Sequence, residues 1–188
     1  MKDSEFRHKY DCDWDRVTSS FWKKYCTLFT PSRSLLGHPK CSQSRAFVLS
    51  RYIDSSGCLV TKRLHVIYQD VPAFIYAVVG NIVTYAGEES IVNPYTKTMS
   101  LRTKNLSMNM FASVDEFCTY SRCTDSHDKT EYTKNLVVTG LLTGFINYRL
   151  ENWFVDTDTR NRKNGINVMD EIIGGVSQLL IPLQQQQM

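Results

Sequence analysis

At 188 residues the chain suits one domain, long enough to bury a core without disulfide or metal staples. Its 42% hydrophobic and 22% charged residues are those of an ordinary globular protein, and a net charge of only +3 argues against a nucleic-acid module with its dense basic stripe. The longest apolar stretch, Val71 to Val79, has nine residues, whereas a membrane-spanning helix needs about 20, so any membrane contact is expected to be peripheral.

Residues 5–10 read as a short strand. Asp13 then caps a helix whose apolar positions Trp14, Val17, Phe21, Trp22 and Tyr25 fall on one face. Asp15, Arg16, Ser19, Ser20 and Lys23 fall on the other. Residues 26–44 carry Pro31, Gly37 and Pro39 without periodicity and read as a long loop.

A run of strands follows. Ala46–Ile53 and Cys58–Tyr68 form a hairpin around Asp54-Ser55-Ser56-Gly57. Ile82–Val92 turns through Asn93-Pro94 into Thr98–Lys104. Phe111–Arg122 and Thr130–Thr139 flank a polar turn at 124–128. Short turns between successive strands predict an antiparallel meander. From Gly144 the period becomes helical, with Gly174-Gly175 as its expected end and residues 176–188 as a flexible tail. A helix of about 30 residues spans about 45 Å, enough to cross the sheet and leave an apolar gap beneath it.

This arrangement resembles the PRELI-domain family. The resemblance is carried by Trp14-Asp15-Arg16-Val17, Phe21-Trp22-Lys23-Lys24-Tyr25, Ser50-Arg51-Tyr52-Ile53-Asp54 and Leu59-Val60-Thr61-Lys62-Arg63-Leu64. It continues through Glu88-Glu89-Ser90-Ile91-Val92-Asn93-Pro94, Met99, Thr103-Lys104-Asn105-Leu106, Val114-Asp115-Glu116, Leu150-Glu151-Asn152-Trp153 and the Lys163, Gly165, Met169 spacing. The order of these pieces over residues 5–173 identifies the family.

The resemblance implies an α+β, START-like helix-grip fold. A curved antiparallel sheet of about six or seven strands would surround a long C-terminal helix, with an N-terminal helix and a short lid helix. The lipid-transfer domain would cover residues 1–175. The resemblance further implies transfer of a phospholipid, phosphatidic acid or phosphatidylserine, across the mitochondrial intermembrane space, alongside a small twin-CX9C helical partner protein and without a cofactor. The family carries no cleaved presequence, and Met1-Lys2-Asp3-Ser4-Glu5-Phe6 lacks an apolar h-region. It does not choose the headgroup, because Asp70 stands before Pro72 where members carry a base.

Arg63 shares a strand face with Thr61 and His65. It could hold a lipid phosphate through a bidentate contact, or pair with Glu88 or Glu89, or face solvent. Lys24 and Lys163 are further headgroup candidates, each also readable as an exposed helix lysine, and Lys24 suits the end of its helix.

The segment 71–80 has Pro near its start and Gly at its end. It reads either as a lid (Val71, Pro72, Phe74, Ile75, Val78, Val79, Gly80) or as a buried crossover helix. Phe145, Tyr148, Trp153 and Phe154 are candidates for lining the cavity, with core packing as the alternative. No metal site is expected from the scattered His8, His38, His65 and His127, and no two of the six cysteines form a CxxC pair. Cys118 and Cys123 are close enough in sequence for a disulfide.

Two other classes compete with lipid transfer. A helix-grip enzyme would need an acid in the pocket, Glu88 or Asp115. A non-catalytic interaction protein would retain only a vestigial cavity. Asp115 and Glu116 cannot act together, because neighbours on a strand face opposite sides.

Overall fold

The computed structural model describes residues 1–27, 43–68, 71, 73, 74, 76, 83–126 and 128–180. The elements in chain order are β1 (Lys2–Tyr10), α1 (Trp14–Thr27), β2 (Gln43–Ile53), β3 (Leu59–Tyr68), β4 (Val83–Asn93), β5 (Thr98–Asn105), β6 (Ala112–Arg122), β7 (Thr130–Gly140) and α2 (Gly144–Leu180). The seven strands form one sheet in the order β1-β7-β6-β5-β4-β3-β2. Every neighbouring pair is antiparallel, as short turns require.

The turns hold by local chemistry. Asp54 Oδ1 accepts from Ser56 N and Cys58 N, both at 2.9 Å, and Gly57 supplies the left-handed φ of 78° that a side chain would resist. Asn93 Oδ1 accepts from Tyr95 N at 2.9 Å and Thr96 N at 3.0 Å. Asp13 caps α1 by accepting from Arg16 N at 2.8 Å.

The expected face of α1 packs inward, with Trp14, Val17 and Phe21 buried against Tyr10, Met99, Tyr120 and Met169. Ser20, placed on the polar face by periodicity, is buried as well. The reason is that α1 packs on both β6 and α2, so more than one stripe is covered.

The helix α2 runs for 37 residues, about 55 Å at 1.5 Å per residue. It does not stop at Gly174-Gly175. Glycine ends a helix by turning left-handed, and only Gly57 and Gly144 do so among the described glycines. In a right-handed position each glycine costs about 1 kcal/mol relative to alanine, too little to end a packed helix. The predicted tail therefore begins as helix, and residues 181–188 lie outside the described residues, as do positions 28–42 of the predicted loop.

Near its start α2 is tied to the sheet. Glu151 Oε1 accepts from Gly140 N at 2.9 Å and from Asn147 Nδ2 at 3.2 Å, while Asn147 Oδ1 accepts from Leu142 N at 3.2 Å. A Cβ on Gly140 would overlap the Asn147 amide. Gly140→Ala is therefore expected to lower stability by about 1–3 kcal/mol through broken half-buried hydrogen bonds, measurable by urea denaturation.

Candidate functional site

Strand alternation and register place two rows of side chains on the concave face under α2. One row reads Arg63, Glu88, Thr103, Glu116, Leu136 across β3, β4, β5, β6 and β7. The next reads Thr61, Ser90, Leu101, Cys118, Lys134. Charged groups thus stand in the interior of the sheet, which demands partners.

Two cavities lie between this face and α2. The first, about 150 Å³, is lined by Lys24, Glu88, Glu116, Lys134 and Arg162, with aromatic walls from Tyr10, Tyr120 and Tyr132. The second, about 170 Å³, is walled mainly by apolar groups including Ile67, Ala86, Val114, Leu136 and Phe154. Thr103, Glu116 and Asn161 line both, so the two spaces adjoin.

The ion pairs fall into two groups. Arg63, 2% exposed, bonds Glu88 and donates to Ser90 Oγ at 3.2 Å. Its guanidinium lies 4.5 Å from the Trp22 ring centroid, a cation–π contact. His65 Nε2 stands 3.2 Å from the second Glu88 oxygen. Burial alone would raise the Glu88 pKa, but the contacts from His65 and Arg63 outweigh it and hold the carboxyl below its ordinary range.

In the second group, Lys134 Nζ lies 2.8 Å from Glu116 Oε2 and 2.6 Å from Asp158 Oδ1. Burial pulls its pKa down, yet Glu116 and Asp158 outweigh that and keep it above the ordinary lysine value. Arg162 joins Asp158 at 3.7 Å and covers the Phe6 ring at 4.1 Å.

Lys24 projects from α1 toward Gly165 of α2, where a Cβ would come within 3.4 Å of Nζ. Gly165 therefore leaves room for the ammonium. Burial, followed by repulsion from Lys134, lowers the Lys24 pKa. Four cations, Lys24, Arg63, Lys134 and Arg162, thus face three carboxylates, Glu88, Glu116 and Asp158. Lysine and arginine thus outnumber the carboxylates of the cluster by one.

The PRELI-like family profile matches residues 15–178. The chain belongs to this family. It is 30% identical over 175 residues to Protein UPS2, mitochondrial, of Saccharomyces cerevisiae, covering 89% of this chain and 71% of that protein. It is 26% identical over 168 residues to Protein slowmo homolog of Dictyostelium discoideum, covering 89% and 69%.

Solved structures of like fold are more distant in sequence. The Zhui aromatase/cyclase of Streptomyces sp. R1128 is 10% identical with a TM-score of 0.56, covering 95% of both chains. Ara h 8.0201 is 9% identical with a TM-score of 0.52, covering 94% of this chain and 99% of that one. These confirm the helix-grip, START-like architecture.

Within this PRELI-like fold, Arg63 takes the Glu88 ion pair that the sequence left as an alternative, and it stands behind the cavity wall. Of the two lysine candidates, Lys24 lines the first cavity, while Lys163 is exposed on α2. Its neighbour Arg162 faces inward instead. Helical spacing carried that signal, because Arg162, Gly165 and Met169 share a face at i, i+3 and i+7. Lys134 was missed too, and Glu116 was considered only beside Asp115, although each shares its strand face with apolar residues.

Phe145 and Tyr148 are 71% and 56% exposed, so the expected cavity-lining place does not hold for them. They sit at the start of α2 and line neither cavity. Trp153 packs with Val71 and Phe74 around Ala112 and Leu150, and Phe154 lines the second cavity.

In the segment 71–80, Ala73, Phe74 and Tyr76 are helical, while Pro72, Ile75, Val78, Val79 and Gly80 lie outside the described residues. Among the described residues no three His, Cys, Asp or Glu side chains are placed to hold a metal, and Cys118 and Cys123 are free thiols.

Proposed function

We propose that this PRELI-like protein binds one glycerophospholipid, phosphatidic acid or phosphatidylserine, between its sheet and α2 and transfers it between mitochondrial membranes. The supporting observation is the pair of adjoining cavities, one lined by an excess of cations and the other largely apolar. Lys24, with Lys134 and Arg162, would face the phosphate. The acyl chains would follow α2 past Leu136 and Phe154. Enclosing them removes about 0.8 kcal/mol of exposure cost per CH₂. The segment 71–80 would serve as the lid, its Val71 and Phe74 resting on the α2 base.

The yeast relative's name places that protein in mitochondria, which supports the same compartment here. The intermembrane space and a twin-CX9C partner complete the reading that the family resemblance supplies. Binding rather than catalysis is favoured by the acids that an enzyme would use. Glu88 is held ionised by His65 and Arg63. Asp115 lies outside the concave face, 2.7 Å from Arg102 and 3.3 Å from Lys104, whose contacts lower its pKa. Neither has the raised pKa of a general acid.

The cavities of about 150 and 170 Å³ are smaller than the about 300–1,000 Å³ that surround a drug-sized ligand. A diacyl lipid therefore requires the walls to part on loading. The same observation favours a second reading, an interaction protein whose cavity is vestigial.

Native mass spectrometry of the purified protein, paired with transfer between donor and acceptor vesicles, separates the two. The lipid reading expects a co-purified phospholipid and measurable transfer. Lys24→Met is expected to reduce bound anionic lipid about tenfold through the lost charge-assisted contact. Because the fold lowers the Lys24 pKa, this substitution should leave thermal stability unchanged or higher at neutral pH. Apoprotein throughout, with no transfer, would leave the vestigial reading.

A further inference from the structure

The three carboxylates between the sheet and α2 are not held alike. Glu88 has Arg63 and His65, and its side chain is 5% exposed. Asp158 has Lys134 at 2.6 Å and Arg162 at 3.7 Å, and its side chain is 11% exposed. The Glu116 side chain is 30% exposed, and among the described residues its ion-pair partner is Lys134 alone, at 2.8 Å. Its other oxygen accepts from the Cys118 thiol at 3.4 Å, and a thiol is a weak donor.

Lys134 thus carries two carboxylates on one ammonium. A third anion arriving there would be repelled by both, so one carboxylate has to withdraw. Asp158 is held back by deeper burial and by Arg162. Glu116 lines both cavities, so open space lies on either side of its carboxylate.

We infer that Glu116 is a built-in competitor for the lipid phosphate. It holds Lys134 while the cavity is empty, yields it on loading and retakes it on release. The inference rests on the lipid-transfer reading and adds to it how the cargo leaves. Phosphate and carboxylate are both anionic acceptors, and a lysine binds either as a point charge. They therefore compete for the same donor. The apparent affinity of a site falls with the fraction of time that it is free. A carrier that has to deliver its cargo gains from such a ceiling on affinity. Glu116 acts through Lys134 and so positions the cation rather than touching the cargo.

The test uses the full chain and phosphatidylcholine vesicles with a minority of pyrene-labelled phosphatidic acid or, separately, pyrene-labelled phosphatidylserine. Release of the bound label to unlabelled vesicles is followed by stopped-flow fluorescence. Glu116→Gln keeps the shape of the side chain and removes its charge. It is expected to retain more label and to release it about tenfold more slowly, because Lys134 is left free for the phosphate. Glu116→Asp draws the carboxylate back by one methylene and should fall between the two. Asp158→Asn leaves Glu116 in place and should slow release much less. Glu89→Gln removes a carboxylate from the outer face, 47% exposed beside Lys62, and should change nothing.

Equal release by the native chain and Glu116→Gln would overturn the role of Glu116, whatever the stability of the variant. Equal slowing by Asp158→Asn would overturn it too, by assigning the effect to the charge of the cavity as a whole. Inorganic phosphate in place of lipid should shift the Tm of neither protein beyond chloride at the same ionic strength. A rise confined to Glu116→Gln, with no labelled lipid bound, would make this a site for the free ion and overturn the role in lipid release. Label bound and transferred at equal rates rejects the competitor alone. No label taken up by the native chain or any variant rejects the cargo, and the competitor with it.

Discussion

Lys134→Met is expected to lower stability by about 3–5 kcal/mol, because it removes the ion-pair partner of Glu116 and leaves Asp158 only the longer contact to Arg162. For a chain of this length that corresponds to a fall of about 10 °C in Tm. Lys134 is nearly as buried as the core around it, and its two partners come from different elements, β6 and α2. The pairing therefore joins helix to sheet as well as neutralising charge. Adding Glu116→Gln and Asp158→Asn to Lys134→Met should recover part of the loss. Differential scanning calorimetry of the single and triple variants measures this, and no recovery would mean that the cost of Lys134→Met is one of packing.

The second large effect is expected at Arg63. Arg63→Met should also cost about 3–5 kcal/mol by stranding Glu88, and Arg63→Met/Glu88→Leu should restore most of it. The pH dependence distinguishes electrostatics from lost stacking on Trp22. In the native protein the Glu88 pKa lies below its ordinary value. Its contribution is therefore complete above the unfolded carboxylate value of about 4.3 and disappears as pH falls through the folded value. In Arg63→Met, burial gains weight and moves the Glu88 pKa upward, so acid relieves the stranded charge. The stability gap between native and variant should narrow from pH 7 to pH 4.5 in urea titrations. A gap independent of pH would assign the loss to packing.

Much of the fold was legible because each turn carries its own chemistry. Asp54 with Gly57, Asn93 with Pro94 and the Asp13 cap are local signals, and local signals survive in sequence. The strands between them follow from alternation, which put Arg63 on one face with Thr61 and His65 and set Glu116 opposite Asp115. The end of α2 was misplaced because Gly174-Gly175 says only that a stop is permitted. Whether the stop occurs depends on the backbone conformation adopted there.

The site was less legible. A charge on a strand reads as solvated until the covering element is known, so Lys134 went unnamed and Glu116 was weighed only as the neighbour of Asp115. The choice of Lys163 over Arg162 is a matter of one residue, about 100° of helix rotation. A motif alone does not resolve that angle, whereas the apolar positions Ile166 and Met169 on the same face do. Phe145 and Tyr148 share the composition of a core face, but both are exposed at the start of α2.

The helix α2 behaves as a beam pinned along its length. Glu151 grips the last residue of β7 near one end, and Asp158 meets Lys134 near the middle. Towards the other end, Arg16 donates to Ile173 O at 2.7 Å. A beam held at three points resists swinging, and releasing the central pin would strand charges in the interior. The described residues of the β3–β4 connection are held by other contacts. Val71 and Phe74 rest on apolar neighbours and on the face of one guanidinium. For any cargo between sheet and helix, α2 is therefore the fixed jaw.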